Sequence, residues 1–434
     1  MPRRQAWADR STAFGTGLNV TQALSAAKAA EKTARESYGR LLSLLASRSG
    51  DLAGAQDALA DAFRSALETW GAKGVPDNPE AWLLTVARNR QRDVRGSAAA
   101  RTSVPLIEDD INAMFLIETP TDRDAIPDDR MKLLFVCAHP AIDAAMRAPL
   151  MMQTVLGLDA DVIARAFMVP AAAMAQRLVR VKRKIKEAVI PFELPSRSDM
   201  AERLEGVLEA IYGAFSIGWE QIESAEEADD DNLADEARYL ADLLARLLPD
   251  DAEVLGLAAC ISLSNARRAA RVSADGAYVP LESQDTARWD AKQIAWGERL
   301  LQRAQKLNAV GRFQLEAAIQ SVHVARAQSG FTDWAALSLL YQGLMQMAPS
   351  IGSAVGRAIA IGHAQNAPAG LAALAQIEVS VRDEFQPAWA ARAHLLAMDG
   401  RNAEAVQALD QAIQRATGAG VKRELLKRRS LLTG

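Results

Sequence analysis

The sequence predicts an all-α protein in which two small helical domains precede a helical C-terminal array with one short β-hairpin. Aromatic residues make up 5% of the 434 residues, and no long alternating run of Val, Ile and Thr occurs, so packed helices are favoured over sheets. Hydrophobic residues account for 50% of the chain, which is enough for several cores. We therefore expect a multidomain helical protein.

Changes of composition divide the chain into six segments. Small and polar residues, proline-punctuated acidic stretches and amphipathic runs alternate along it. In order, the segments are a flexible tail (1–30), a compact helical unit (31–96), an acidic linker with one short helix near 111–117 (97–129), a second compact unit (130–195), a helical extension (196–310) and repeat-like helices (311–434).

Three helices are predicted in the first compact unit. The second of them runs from about Leu52 to Trp70, and the loop GAKGVPDNP at 71–79 cannot be helical because its glycines and prolines break the pattern. Trp82 keeps the third helix amphipathic and is expected in the core. That helix ends in a polar and basic stretch. The first helix carries Tyr38, Leu41, Leu42, Leu44 and Leu45.

The segment 158–186 predicts two short helices separated by a tight turn, which is the layout of a helix-turn-helix that reads the DNA major groove. Proline cannot continue a helix but can open one, so Pro170 ends the turn and begins the second helix. The first helix has an apolar stripe of Val162, Ile163, Ala166 and Phe167. The second turns Met174, Leu178, Val181 and Ile185 inward and Gln176, Arg177, Arg180, Arg183 and Lys184 outward.

Six residues between Arg177 and Glu187 are basic and one is acidic. This density of positive charge suits contact with DNA phosphates and release of counterions. The alternative is a solvated basic helix on the surface of an ordinary bundle. The sequence of this segment alone leaves both interpretations open.

The C-terminal half predicts a helical array. The segment 387–416 pairs two helices around Gly400 and Arg401 and resembles a tetratricopeptide repeat. Asp275 and Gly276 predict a hairpin turn within 271–282. Small residues expected where helices approach are Ala393, Ala403, Ala405, Ala408 and Ala412. A polar cluster comprises Arg267, Arg268, Arg271, Glu282, Gln284, Asp285, Arg288, Trp289 and Asp290.

That polar cluster has two interpretations, a recognition surface for a partner or an internal salt-bridge network joining hairpin to helix. Asp285 also suits the N-cap of a following helix. The sequence does not choose between the two interpretations.

Several functional classes are disfavoured. The net charge is −4, but the basic residues near 177–186 are separated from acidic ones around 223–236. Cys137 and Cys260 have neither disulfide nor metal-ligand spacing, which favours a reducing cytoplasm. No apolar run is long enough for a membrane span, so no membrane partner is expected.

Enzyme function is also disfavoured. His139, His323, His363 and His394 share no ligand spacing, and no nucleophile elbow, phosphate loop or dinucleotide fingerprint occurs. His139, just before a proline, is expected in a turn or a core. We therefore expect no catalytic residues, no cofactor and no bound metal.

Several stretches, taken in order, resemble the extracytoplasmic-function sigma factors of the sigma-70 type. The N-terminal ones are DLAGAQDALADAFRSALETW, GVPDNPEAWLLTVARNR, DDRMKLLFVCAHPAIDAAMRAPLMMQTVLGLDADVIARAF and MVPAAAMAQRLVRVKRKIK. The C-terminal LLARLLPDDAEVLGLAAC and ARRAARVSADGAYVPLESQDTARWD are similar to the tetratricopeptide-like extension of one subgroup. The resemblance covers nearly everything from about residue 33 onward.

The resemblance implies a cytoplasmic bacterial protein that binds the clamp and flap of core RNA polymerase and directs transcription initiation at promoter DNA. It implies that 31–96 and 130–195 are sigma regions 2 and 4, which read the minus-ten and minus-thirty-five elements. It also implies that the C-terminal extension regulates activity or binds a regulatory protein. The alternative is a repeat-based scaffold, or a DNA-binding regulator that acts without core polymerase.

The resemblance carries over to three groups of residues. Core polymerase would be bound by Asp57, Leu59, Asp61 and Phe63, although one of Leu59 and Phe63 is expected in the core. The minus-ten element would be read by Asn89, with Arg88, Arg92 and Asp93 alongside. The minus-thirty-five element would meet Pro170, Ala172, Ala173, Gln176, Arg177 and Arg180, while Arg183 and Lys184 hold phosphate with Arg180.

Overall fold

Helices form the regular structure of the computed structural model, and the all-α prediction is confirmed. The structure describes residues 51–96, 128–187, 197–220, 233–273 and 277–433, with part of 26–49. These residues fall into an N-terminal unit, Met1–Val207, and a C-terminal unit, Leu208–Gly434. The predicted acidic linker and its short helix lie outside the described residues, apart from Asp128 and Asp129.

The N-terminal unit begins with helical residues in 26–49, of which Leu41, Leu42 and Leu45 are fully buried. Ala26 and Ala30 are also helical and buried. The segment predicted as a flexible tail therefore includes two buried helical positions at its C-terminal end.

Helices α1 (Leu52–Lys73) and α2 (Pro79–Gly96) pack together, and Trp70 meets Trp82 edge to face at 5.5 Å between ring centroids. The prediction that the whole of 71–79 is non-helical was wrong at both ends. Helix α1 continues to Lys73 and stops before Gly74, whose φ is +87°. Proline at the first position of α2 costs no hydrogen bond, and Asn78 Oδ1 caps the helix by accepting from the Ala81 N–H at 3.0 Å.

Four helices follow: α3 (Asp129–Cys137), α4 (Ala144–Thr154), α5 (Ala160–Ala166) and α6 (Ala171–Glu187). Asp128 and Asp143 cap α3 and α4 with side-chain carboxylates, as aspartate commonly does at helix starts. Their core includes Phe135 and Met151. His139 lies in the turn between α3 and α4, where its Nδ1 accepts from the Ala141 N–H at 3.1 Å, so the turn prediction for His139 is confirmed.

Helix α7 (Arg197–Glu220) runs across the boundary between the two units. The C-terminal unit continues with α8 (Leu233–Leu247), α9 (Ala252–Asn265), α10 (Ala291–Lys306), α11 (Arg312–Val324), α12 (Arg326–Ser329), α13 (Trp334–Met347), α14 (Ile351–Ala364), α15 (Ala367–Ala375), α16 (Val379–Glu384), α17 (Gln386–Met398), α18 (Asn402–Arg415) and α19 (Ala419–Thr433). Three 3-10 turns, Arg268–Ala270, Leu281–Ser283 and Thr286–Arg288, lie between α9 and α10.

The predicted hairpin is reduced to one antiparallel bridge, Val272 to Tyr278. The Ser273 N–H donates to the Ala277 carbonyl at 2.9 Å, and the Val279 N–H donates to the Arg271 carbonyl at 2.7 Å. Its tip, 274–276, lies outside the described residues. The two segments are too short to form strands, because the 3-10 turns Arg268–Ala270 and Leu281–Ser283 flank the bridge.

The closing helices pack as antiparallel neighbours, α17 against α18 and α18 against α19. Gly400 connects α17 to α18 with a φ of +76°, a conformation that favours glycine. Of the small residues expected between helices, Ala393, Ala405, Ala408 and Ala412 are buried. Ala403 is exposed, because it lies in the first turn of α18 on the face opposite that core.

No single helix of the described residues is long and apolar enough to cross a membrane. Both cysteines are buried free thiols. Burial raises the pKa of the Cys137 thiol to about 12, so this thiol is neutral near pH 7.

Candidate nucleic-acid interface

Helices α5 and α6 have helix-turn-helix geometry. The chain bends by 112° between them, and only the four residues 167–170 separate the two helices. Helix-turn-helix pairs typically cross at about 90–120° with a turn of about three to four residues. The second helix is thereby fixed at a steep angle to the first.

The turn ends α5 with Met168 in the left-handed region, at a φ of +51°. The Met168 N–H donates to the Arg165 carbonyl at 3.1 Å, and the Val169 N–H donates to the Ala164 carbonyl at 3.0 Å. These bonds satisfy carbonyls that the end of a helix otherwise leaves open. The Met168 side chain is 72% exposed.

The predicted apolar stripe of α5 is partly wrong. Ile163 is buried and Val162 is half-buried, but Ala166 and Phe167 are exposed and Ala164 is buried in their place. Phe167 has already left the helix, so helical spacing no longer sets the direction of its side chain. Ala166 is the last residue of the helix and is exposed there.

Helix α6 buries one face and exposes a basic one. Met174 and Leu178 are buried, and Val181 and Ile185 are half-buried. The predicted outward residues Gln176, Arg177, Arg180, Arg183 and Lys184 are all exposed. At the start of the helix, Pro170 and Ala172 are exposed and Ala173 is half-buried.

The exposed cations of α6 have few partners among the described residues. Arg183 lies 3.6 Å from the Glu187 carboxylate, with both side chains more than half exposed, so solvent screens this pair strongly. The Arg180 Nε donates to the Gln176 carbonyl at 3.4 Å. Within the described ranges, Arg177 and Lys184 have no ion pair. The positive face of α6 is therefore available to an anion.

Lys182 differs from its basic neighbours because it is half-buried. Burial lowers the pKa of its ammonium group, while the Asp57 carboxylate on α1 acts in the opposite direction. Helices α1 and α6 are in contact. Lys182 thus supports packing within the N-terminal unit and is not part of the exposed basic face of α6.

The residues carried over for polymerase binding do not all share one surface. Asp57 is exposed, and Asp61 is half-buried with its carboxylate 2.8 Å from the Arg64 guanidinium. Phe63 is half-buried and stacks on Tyr38 at 6.3 Å. Leu59 is fully buried, in agreement with the alternative that one of the two apolar residues is core, because it lies on the face of α1 that packs into the core with Ala55 and Ala62.

The residues carried over for the minus-ten element lie along α2. Asn89, Arg92 and Asp93 are exposed. Arg88 is 9% exposed and cannot grip a DNA backbone, because it lies one turn from Leu84 on the buried side of the helix. Before α2, the loop 74–78 is largely exposed, and Trp82 is half-buried rather than fully in the core.

The polar cluster of the C-terminal unit forms an internal network. Arg268 pairs with Asp235, and Arg271 lies over the Trp219 ring at 4.7 Å. Trp289 Nε1 donates to Gln284 Oε1 at 3.3 Å. Burial lowers the pKa of Arg267 to about 10.

Two acidic members of this cluster cap helices. Asp285 caps the 3-10 turn by accepting from the Ala287 N–H at 3.0 Å, which confirms its predicted role. Asp290 caps α10. Of the two interpretations of the cluster, the internal network describes most of its members. The Glu282 side chain, 49% exposed, stands outside it.

Comparisons with known proteins found a relative that is similar to this chain and a domain family that matches part of it. It is 36% identical over 368 residues to an uncharacterized protein of Rhizobium meliloti (strain 1021), covering 84% of this chain and 86% of that one. A family of unknown function (DUF6596) matches residues 203–305. No solved structure matches.

Proposed function

We propose that this chain, which belongs to the same family as the Rhizobium meliloti protein, is an alternative sigma factor of the extracytoplasmic-function type. In this proposal the N-terminal unit binds core RNA polymerase and promoter DNA and directs where transcription starts. The C-terminal unit regulates that activity or binds a partner protein. The reaction itself belongs to the polymerase, so the chain needs no catalytic residue of its own.

The single observation that carries the proposal is the exposed basic face of α6, which follows α5 at a bend of 112°. The major groove of DNA admits an α-helix, and the second helix of a helix-turn-helix lies in it. Gln176 and Arg177 lie in the first half of α6. An amide suits an adenine edge, and a guanidinium suits a guanine edge.

Three exposed cations follow Gln176 and Arg177 along α6. Arg180 lies one turn later, and Arg183 and Lys184 lie two turns later. Cations at this distance from the helix start suit phosphates that flank the bases. Each phosphate contact releases counterions, so binding should weaken steeply with salt. These residues would set the register of the helix on the duplex, and Gln176 and Arg177 would supply the discrimination between bases.

The start of α6 offers methyl groups instead of polar readers. Ala172 is exposed and Ala173 is half-buried. Alanine can contact the thymine methyl group, and the free N–H groups of a helix start favour a phosphate. We infer that recognition of the minus-thirty-five element combines these contacts with DNA shape.

The exposed end of α2 would meet the minus-ten element. Asn89 is the group suited to a base edge, and Arg92 suits the backbone. Arg88 is left out of this proposal because its side chain is buried. The loop 74–78 just before α2 is the segment that would receive an unstacked base, since promoter melting requires a base to leave the duplex.

Asp57 and Asp61 would bind the polymerase clamp. The two carboxylates are four residues apart on one helix, so they lie on neighbouring turns of α1. Carboxylates form strong charge-assisted hydrogen bonds with arginine, and the resemblance implies an arginine-rich partner. Asp61 would have to exchange its present partner, Arg64, for one on the polymerase.

The test is run-off transcription on fragmented genomic DNA with purified core polymerase, followed by mapping of RNA 5′ ends. We expect discrete starts that core polymerase alone does not produce. The Arg177→Ala, Arg180→Ala double variant should lose them. The matched control, Lys422→Ala with Lys427→Ala in the C-terminal unit, should keep them.

Two outcomes contradict the proposal. Binding to DNA without any change in transcription starts would favour a regulator that acts without core polymerase. Failure to bind both the polymerase and DNA would favour a scaffold.

A further inference from the structure

Three potential metal ligands converge in the C-terminal unit, outside the interface described above. Ligand atoms of Glu282, His363 and His394 all lie within 4.8 Å of one another. We propose that these three side chains bind one divalent transition-metal ion, Zn²⁺. This inference does not depend on the proposed function, because it concerns a different unit of the chain and a different ligand.

The distances suit a tetrahedral site. The Nε2 atoms of His363 and His394 are 2.8 Å apart, and His363 Nε2 is 3.8 Å from Glu282 Oε1. With zinc–nitrogen bonds of about 2.0–2.1 Å, tetrahedral ligand atoms lie about 3.3 Å apart. One observed distance is about 0.5 Å shorter than this value and the other about 0.5 Å longer. Small rotations of the side chains can bring both distances to the tetrahedral value.

The two imidazoles are held by neighbouring helices. His363 lies on α14 and His394 on α17, and these helices are in contact. Gly362, beside His363, lies against the Leu395 side chain, which a Cβ at this position would meet. The His363 ring also stacks on Trp334, with centroids 4.0 Å apart and planes 9° apart. The histidines are therefore oriented before any ion binds.

The third ligand comes from the 3-10 turn Leu281–Ser283. Arg326 fixes the backbone of this turn, because its guanidinium donates to the carbonyls of Leu281 at 2.9 Å and Gln284 at 3.0 Å, and also to that of Glu282. The Glu282 side chain remains 49% exposed. A fixed backbone with an exposed carboxylate allows coordination without refolding.

The donor chemistry favours a transition metal over Ca²⁺ or Mg²⁺. Imidazole nitrogen suits zinc and related ions, whereas calcium and magnesium prefer oxygen ligands. Metal binding requires the neutral form of each imidazole ring. Three protein ligands leave the fourth tetrahedral position to water.

The alternative is a hydrogen bond between the two histidines with Glu282 nearby by chance. A histidine pair needs one ring to donate and the other to accept, and it does not require a carboxylate as a third partner. A metal site requires all three side chains. The carboxylate of Glu282 therefore distinguishes the two explanations.

The test uses the full-length chain without an affinity tag, freed of metal with a chelator and then dialysed. Native mass spectrometry should show one bound Zn²⁺ per chain. Co²⁺ should give the visible absorption of a tetrahedral complex. Titration with Zn²⁺ against a competing chelator gives the affinity.

Glu282→Gln is the decisive variant, because it changes an exposed side chain and leaves the helices intact. Loss of a group that only orients a ligand costs about 10–100-fold in affinity, so loss of a direct ligand should cost at least about tenfold. His363→Asn with His394→Asn should abolish binding. Circular dichroism checks that each variant keeps its helices.

Matched controls are Glu378→Gln, an exposed carboxylate of the same unit, and His139→Ala in the N-terminal unit. Both should bind Zn²⁺ as the wild type does. The proposal is overturned if the wild type binds no Zn²⁺. It is equally overturned if either Glu282→Gln or the double histidine variant binds with wild-type affinity.

Discussion

The carboxylate of Glu253 in α9 caps helix α11, which begins beside Phe313. Glu253 Oε2 accepts a hydrogen bond from the Phe313 N–H at 2.9 Å, and Oε1 accepts one from the Gln314 N–H at 3.2 Å. The residue at the N-cap position, Gly311, has no side chain with which to do this. A residue distant in the sequence therefore satisfies the N–H groups that start α11.

Replacing Glu253 by Ala should destabilise the C-terminal unit. The variant leaves two N–H groups of α11 without their acceptor and removes a negative charge from the helix start, which together cost about 1–3 kcal/mol. Urea denaturation followed by circular dichroism measures the change. Glu378→Ala, at an exposed position without a side-chain cap bond, should change stability little. Equal stability of both variants would contradict the capping role.

Gly256→Ala should destabilise the same unit for a steric reason. A Cβ at Gly256 would lie 2.7 Å from the backbone nitrogen of Gln314, so α9 and α11 would have to separate. Overpacking of this kind costs about 1–3 kcal/mol. Gly352→Ala is the matched control, because a Cβ there meets nothing closer than 3.9 Å.

The control should be as stable as the wild type or more stable by up to about 1 kcal/mol, since alanine favours the helix. Thermal unfolding of the two variants side by side measures the contrast. If both alanines proved neutral, the close approach of α9 and α11 would be wrong.

The turn of the helix-turn-helix should tolerate glycine at Met168 but not valine. A left-handed conformation costs a residue with a Cβ about 1–2 kcal/mol, and glycine avoids this cost at the expense of about 0.5–1 kcal/mol of chain entropy. The exposed Met168 side chain contributes little packing. We expect Met168→Gly to be neutral or slightly stabilising and Met168→Val to be destabilising in urea denaturation of the full chain. The reverse order would contradict the conformation of the turn.

The basic face of α6 should determine the salt dependence of DNA binding. Each phosphate contact contributes about 0.9 to the slope of log affinity against log salt concentration. Arg183→Ala and Lys184→Ala should each lower that slope by about 1 and weaken binding to all sequences alike. Gln176→Ala should instead change the preference among bases by about 1–3 kcal/mol at one position.

Fluorescence anisotropy with labelled duplexes from the mapped promoters, at several salt concentrations, separates the two effects. Lys427→Ala in the C-terminal unit is the control and should leave the slope unchanged. An unchanged slope in all variants of α6 would mean that its basic face does not meet DNA.

His323 should make the C-terminal unit less stable in mild acid. Burial, with Arg267 and Arg326 nearby, lowers its pKa to about 3, whereas the unfolded chain has a histidine pKa of about 6.5. The unfolded state therefore binds the proton first as the pH falls. Stability is unaffected above about pH 6.5 and falls by up to roughly 1.4 kcal/mol per pH unit between there and about pH 3.

His323→Gln, which carries no charge at any of these pH values, should lose less stability than the wild type between pH 7 and pH 5. The expected difference is about 2 kcal/mol. Urea denaturation at both pH values in the presence of a chelator measures it. Parallel loss of stability in the two proteins would show that His323 is not the group responsible.

Local sequence was sufficient for the type of most elements but not for all their ends. Helix α1 continues through Gly71 because a helical glycine costs only about 1 kcal/mol, and the packing of Trp70 against Trp82 outweighs that cost. The chain ends the helix at Gly74, where the backbone requires a positive φ. Which of two glycines ends a helix depends on tertiary contacts.

The candidate interface shows the same division. Helical spacing was sufficient to separate the inward and outward residues of α6. The family resemblance, and not helical spacing, assigned surface roles to Leu59 and Arg88, which the structure buries.

By itself, the sequence determined the all-α class and the basic outer face of α6, because both depend on residues a few positions apart. Only the tertiary structure decided the internal network around Arg268 and the convergence of Glu282, His363 and His394. The two histidines are 31 residues apart on different helices. Sequence spacing carries no information about the distance between side chains on separate helices, since helix packing sets that distance.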